Sequence, residues 1–108
     1  MNYKIFTIPP FDRQLKRLAK KYSSIKSDLT ELANELIKNP MTGKPLGKNC
    51  YKVRMTIKSK GKGKSGGARV ITHFAVIDKT IYLLTIYDKS KKDNLTDNEL
   101  IELLNFIE

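Results

Sequence analysis

With 108 residues, 40% of them hydrophobic and 30% charged, the chain holds enough apolar mass for one core and too little length for two, so a single ordered domain is expected rather than wholesale disorder. Its formal net charge is +10, and no apolar run approaches the ~18 residues of a membrane span. A single cysteine, Cys50, rules out an internal disulfide, and with one histidine it leaves too few ligands for a zinc shell.

The first residues, MNYKIFTIPPF, lack the basic-then-apolar layout of a secretory signal, so a soluble cytoplasmic protein is expected. Tyr3 to Ile8 reads as a short strand, stopped by Pro9-Pro10. Phe11, Leu15, Leu18, Ala19 and Tyr22 then recur at helical spacing, with Arg13, Lys16, Arg17, Lys20 and Lys21 between them. That pattern predicts an amphipathic helix with a basic outer face, too short and polar to argue for membrane binding. Ser23-Ser24 breaks it and can cap a second helix, marked by Ile25, Leu29, Leu32, Ala33, Leu36 and Ile37 and ended by Asn39-Pro40. MTGKPLGKN reads as a loop. Next, Tyr51, Val53, Met55 and Ile57 alternate with Lys52, Arg54, Thr56 and Lys58, a strand with one face buried and a cationic face in water. KGKGKSGG is a glycine-rich basic turn, and ARVITHFAVI reads as the return strand. IYLLTIY (81–87) is apolar on both faces and should be central in the sheet or covered on each face. After the lysine-rich DKSKKDN, Thr96 and Glu99 fit a capping box opening a last helix whose apolar positions are Leu100, Ile101, Leu103, Leu104 and Ile107. The predicted order is β-α-α-β-β-β-α, a single α+β domain over 1–108 with a helical hairpin near its start and a helix at its end.

The charge is not spread evenly. Between Leu36 and Ile77 stand ten basic residues and no acidic one, while the rest of the chain balances eleven against eleven. A one-sign block of this kind is a candidate anion-binding surface. Gly63-Lys64-Ser65 resembles the end of a phosphate-binding loop, but Lys58 stands where the first glycine is required and a strand follows in place of a helix. A Ser/His/Asp site would have to draw His73 from mid-strand, with no nucleophile elbow. Cleavage of RNA, by contrast, needs neither metal nor nucleophilic side chain, because the ribose 2′-hydroxyl attacks. The protein must take the 2′ proton, stabilise charge on phosphorus and protonate the leaving 5′ oxygen. Arginine suits the second task, and a lysine set among other cations can serve as acid or base. The candidates are Lys52, Arg54, Arg69, Lys89, Lys91 and Lys92, with His73 and Tyr87 near them in sequence. Lys58, Lys60, Lys62 and Lys64 would add RNA affinity, and Cys50 reads as a small buried residue.

YKVRMTI, GGARVITHF and IYLLTIYDKSKKDNLT together resemble the core of the RelE/ParE toxin superfamily, most closely its RelE/HigB-like branch, over the whole chain. The resemblance implies a small fold with an antiparallel sheet core. It also implies a toxin of a type II toxin–antitoxin system, a metal- and cofactor-independent endoribonuclease (mRNA interferase) that cleaves message on the ribosome and inhibits translation. Family strand cations fall on Lys52 and Arg54, the transition-state arginine on Arg69, and the late basic residue on Lys91 or Lys92. Where some members place a tyrosine after that basic residue, Thr96 stands here, and Tyr87 with the Lys89/Lys91/Lys92 cluster is the candidate substitute. The implied partners are a cognate antitoxin, through which a dimer or heterotetramer could form, and the ribosome with its message; no membrane is involved. The alternatives are a ParE-like gyrase poison of the same fold and a non-catalytic RNA-binding module.

Overall fold

Strand β1 (Lys4–Thr7) hands over to helix α1 (Pro9–Lys21), whose first turn carries both prolines. Proline suits that place, because its missing N–H would have no helical partner there and its φ is already helical. The computed structural model describes residues 3–61, 63, 66–92 and 94–107. Helix α2 (Ile25–Lys38) returns antiparallel to α1 after a short turn and stops at Asn39, ahead of Pro40. Ser24 holds the N-cap position of α2 but gives no hydrogen bond to the helix backbone. Its hydroxyl lies 2.7 Å from Asp28 Oδ2 and 2.9 Å from Ser59 Oγ instead. Strands β2 (Lys44–Gly47), β3 (Cys50–Met55), β4 (Ala68–Ala75) and β5 (Thr80–Asp88) follow, then helix α3 (Asp97–Leu104). Both arms of the expected capping box are made: Glu99 N–H donates to Thr96 Oγ1, and Thr96 N–H to Glu99 Oε1.

The five strands form one sheet in the order β1-β5-β4-β3-β2. The fold is α+β as expected, with two differences in the sheet. First, β2 arises from Lys44–Gly47, inside the stretch read as a loop; a glycine and a proline among four residues hide a strand pattern. Second, β1 lies parallel to β5, so the sheet is mixed, with antiparallel pairing everywhere else. β5 is flanked on both sides, in keeping with its apolar character.

Helix α2 lies against β3, and α1 and α3 against β5. Phe11, Ile25, Leu32 and Leu36 from the hairpin are buried with Val53, Met55, Val70, Leu83 and Ile86 from the sheet and Leu100 from α3. Each such side chain contributes on the order of 1.5–3 kcal/mol by leaving water. The link from β3 to β4 folds back onto the hairpin as a single 3₁₀ turn, Lys58–Lys60. Asp28 Oδ2 accepts the Lys58 N–H at 3.1 Å, and Ser24 Oγ accepts the Ser59 N–H at 2.8 Å. The helical hairpin is thereby tied to one end of the sheet.

Candidate active site

Antiparallel pairing puts directly opposed residues on the same face of a sheet. Arg54 of β3 opposes Arg69 of β4, and Arg69 opposes Tyr87 of β5, so the three stand in a row across the strands. Lys52 stands in the next row, opposite Ile71. Like charges placed directly opposite one another cost stability, a cost that an anion between them would remove. Arg69 is only 4% exposed, and its Nη1 donates to the Ala68 carbonyl at 3.1 Å, which fixes the guanidinium at the floor.

Above the two arginines of this row is a cleft of about 600 Å³, which Tyr87 does not line. Leu32 and Glu35 of α2 form one wall, and Thr42, Gly43 and Lys44 another. Lys52, Val53, Arg54 and Arg69 come from the sheet, with Lys89 from the turn after β5. Among the described residues, five cations thus share one concavity with one carboxylate. Gly43, with φ +108°, makes the second wall possible: a Cβ there would stand 2.6 Å from the Lys52 carbonyl oxygen. Lys52 Nζ donates to Asn94 Oδ1 at 3.2 Å, which links the strand to the segment before α3. The Lys89 N–H is held by the Gly67 carbonyl at 3.0 Å, so its position depends on the start of β4.

The other sequence candidates lie elsewhere. Lys58 sits in the 3₁₀ turn and is ion-paired with Glu31 of α2, so it points along the hairpin. Lys62 and Lys64 lie outside the described residues. His73 is at the far end of β4, opposite Cys50 and Tyr82, with its Nδ1 3.5 Å from the Cys50 sulfur. Burial holds its imidazole below the usual range, against a hydrogen bond to the Lys48 backbone. Burial likewise pushes the Cys50 thiol up to about 11, against the Lys48 charge, as suits an inert packed residue. The lysines after β5 are divided. Lys89 faces the cleft, while Lys91 lines a separate groove of about 220 Å³ with Arg17 and Tyr87. Lys92 pairs with Glu99 of α3 at 2.6 Å, its Nζ 5.9 Å from the centre of the Tyr87 ring.

Beneath Lys89, Asp88 anchors the end of β5. Its carboxylate accepts from Tyr22 at 2.5 Å, from Lys60 at 2.8 Å and from the Ser90 hydroxyl at 2.7 Å. Burial alone would push this carboxyl up, but those hydrogen bonds outweigh it and hold Asp88 well below the usual carboxylate range. The sequence reading missed Lys44 and Glu35 as cleft residues. Lys44 was visible only as one more charge in the basic block, and Glu35 looked like an ordinary exposed helix carboxylate. Among the described residues, no three His, Cys, Asp or Glu side chains gather as a metal shell would require.

A family model described as the RelE toxin of the RelE/RelB toxin–antitoxin system matches residues 4–106. Among solved structures, the chain is similar to a free double arginine-to-alanine mutant of the Escherichia coli toxin RelE. The TM-score is 0.64 at 18% identity, over 100% of both chains. It is also similar to a chain of the Mycobacterium tuberculosis RelBE2 toxin–antitoxin complex. Here the TM-score is 0.61 at 16% identity, over 82% of this chain and 92% of the other. These two structures bear on the fold.

Proposed function

The chain belongs to the RelE toxin family, and from that membership we propose that its cationic cleft cuts messenger RNA on the ribosome without a metal ion. The observation that carries this reading is the meeting of Lys52, Arg54, Arg69 and Lys89 in one concavity. An RNA strand brings its own nucleophile. As the 2′ oxygen bonds to phosphorus and the bond from phosphorus to the 5′ oxygen breaks, the phosphoryl oxygens gain charge. A planar, permanently charged guanidinium held rigidly beside them stabilises that state more than the starting phosphate. Arg69 fits this task best, because its position is set by strand pairing and burial before any substrate arrives. Arg54 beside it would share the load, and Lys44 and Lys89 would hold flanking phosphates. The products are a 2′,3′-cyclic phosphate and a 5′-hydroxyl end.

The scale of the cleft supports a dependence on the ribosome. A cleft of about 600 Å³ takes a drug-sized piece of RNA. The rest of the strand must be presented by another body, and a translating ribosome offers single-stranded message codon by codon. The antitoxin found with the M. tuberculosis neighbour supports a cognate antitoxin here, with an acidic segment matched to the cleft's charge.

Primer extension on a translated message tests the reading. Cuts should appear with wild-type protein only when ribosomes are present. They should fade about 10²–10³-fold with Arg69→Ala, the loss of about 3 kcal/mol that removal of one such donor brings. An intact message, or growth arrest with broken DNA and intact message, would overturn it, the latter in favour of a gyrase poison.

A further inference from the structure

Attack by a ribose 2′-hydroxyl requires a group that takes its proton, and the cleft's cations cannot do so while charged: a guanidinium or ammonium has no lone pair to offer. Among the described side chains that line the cleft, only Glu35 and Thr42 carry acceptor atoms, and only Glu35 is a carboxylate. His73 and Tyr87, the other acceptor-bearing candidates, do not line it.

Helix α2 presents three acidic residues in series, and two are occupied. Asp28 holds Ser24 and the Lys58 N–H, and Glu31 is paired with Lys58. Glu35, the third, makes no side-chain hydrogen bond or ion pair with any described residue. It sits between the buried Leu32 and Leu36, so the helix that carries it is fixed against the core. Across the cleft it faces Lys44 of β2, Lys52 and Arg54 of β3, Arg69 of β4 and Lys89.

We propose that Glu35 is the general base of the cleavage reaction, an assignment that rests on the reading above. The Glu35 carboxylate takes the proton of the 2′-hydroxyl as the 2′ oxygen bonds to phosphorus. The bond from phosphorus to the 5′ oxygen breaks, and that oxygen takes a proton from the ammonium of Lys52 or Lys89. Exchange with water then restores both groups. The floor arginines hold the phosphoryl oxygens throughout. Glu35 also explains why a cleft built for a polyanion keeps one negative wall: the carboxylate turns the phosphate towards the arginines and the sugar towards α2.

The test is single-turnover cleavage on programmed ribosomes with Glu35→Gln, which preserves shape and removes the basic oxygen. The variant should cut 10²–10⁴-fold more slowly, the usual worth of a positioned base. It should bind ribosomes as tightly as wild type or more tightly, since a negative charge leaves a cationic cleft. The acid limb of the wild-type pH–rate profile should disappear with it. A message carrying sulfur at the bridging 5′ position needs no acid to expel its leaving group. It should rescue Lys52→Ala or Lys89→Ala, whichever supplies the acid, but not Glu35→Gln. A Glu35→Gln variant that cuts at the wild-type rate, or that the sulfur substrate rescues, overturns the assignment and leaves the cleavage reading standing. A wild-type protein that does not cut at all overturns both.

Discussion

Arg69 carries the greatest consequence of any single side chain, because an arginine 4% exposed at a cleft floor is costly unless its charge is held. Arg69→Lys keeps the charge but loses the planar fork. It is expected to fold, as unfolding in urea would show, and to cut message about 100-fold more slowly, on the order of 2.7 kcal/mol. Asp88 acts through position. Asp88→Asn breaks its bond to Lys60 and weakens that to Tyr22, and should cost about 2–3 kcal/mol in urea unfolding. The pH dependence has a definite sign: the folded carboxyl titrates below its unfolded value of ~3.9, so its stabilisation is complete above that value and is lost as pH falls further. The urea midpoint of the wild type should drop between about pH 4 and pH 2, and that of Asp88→Asn should start lower and drop less. At this scale the sequence was partly legible. Lys52 and Arg54 could be placed by strict alternation, and Arg69 by its station at the start of the return strand. Glu35 could not, because nothing in the local sequence of α2 says which part of β3 its carboxylates will overlook. The lysines at 89, 91 and 92 could not be separated either. The turn in which Asp88 accepts the Lys91 and Lys92 N–H groups sends the neighbours to different grooves.

Among the elements, the loop from β3 to β4 leads into the cleft's β4 floor and helix α3 packs on β5. Gly67 lies where a Cβ would stand 2.2 Å from the Met55 carbonyl oxygen and 3.1 Å from the Ile57 nitrogen. Gly67→Ala should therefore force β3 and β4 apart at the level of Arg69. A loss of about 1–3 kcal/mol in thermal or urea unfolding is expected, with slower cleavage even where the fold survives. Thr96→Ala should cost about 1 kcal/mol through its lost cap. Amide exchange should rise in α3 and leave α2 unchanged. Elements with local signatures were legible: the proline-started α1, the two helices of the hairpin, the alternating β3 and the capped α3. β2 was hidden because it pairs only at an edge and contains Pro45 and Gly47. The parallel pairing of β1 with β5 was hidden because Lys4 meets Thr80, a partner far along the chain that no local pattern names.

For the molecule as a whole, a net charge of +10 guarantees attraction to RNA and does not by itself say where chemistry happens. The salt dependence of binding to single-stranded RNA separates attraction from contact. The slope of log affinity against log salt should change by about 0.7 for each phosphate contact removed. One such increment is expected from Lys52→Ala. The outer face of α1, with Lys16 and Lys20 exposed, is a control surface of the same sign outside the cleft. The most direct measurement is therefore single-turnover cleavage of a translated message, with Arg69→Lys compared against the double variant Lys16→Ala and Lys20→Ala. The cleft variant is expected to cut at least tenfold more slowly at saturating protein while the helix variant keeps the wild-type rate. Equal rates for the two, or slowing confined to the helix variant, would contradict the cleft as the seat of the reaction.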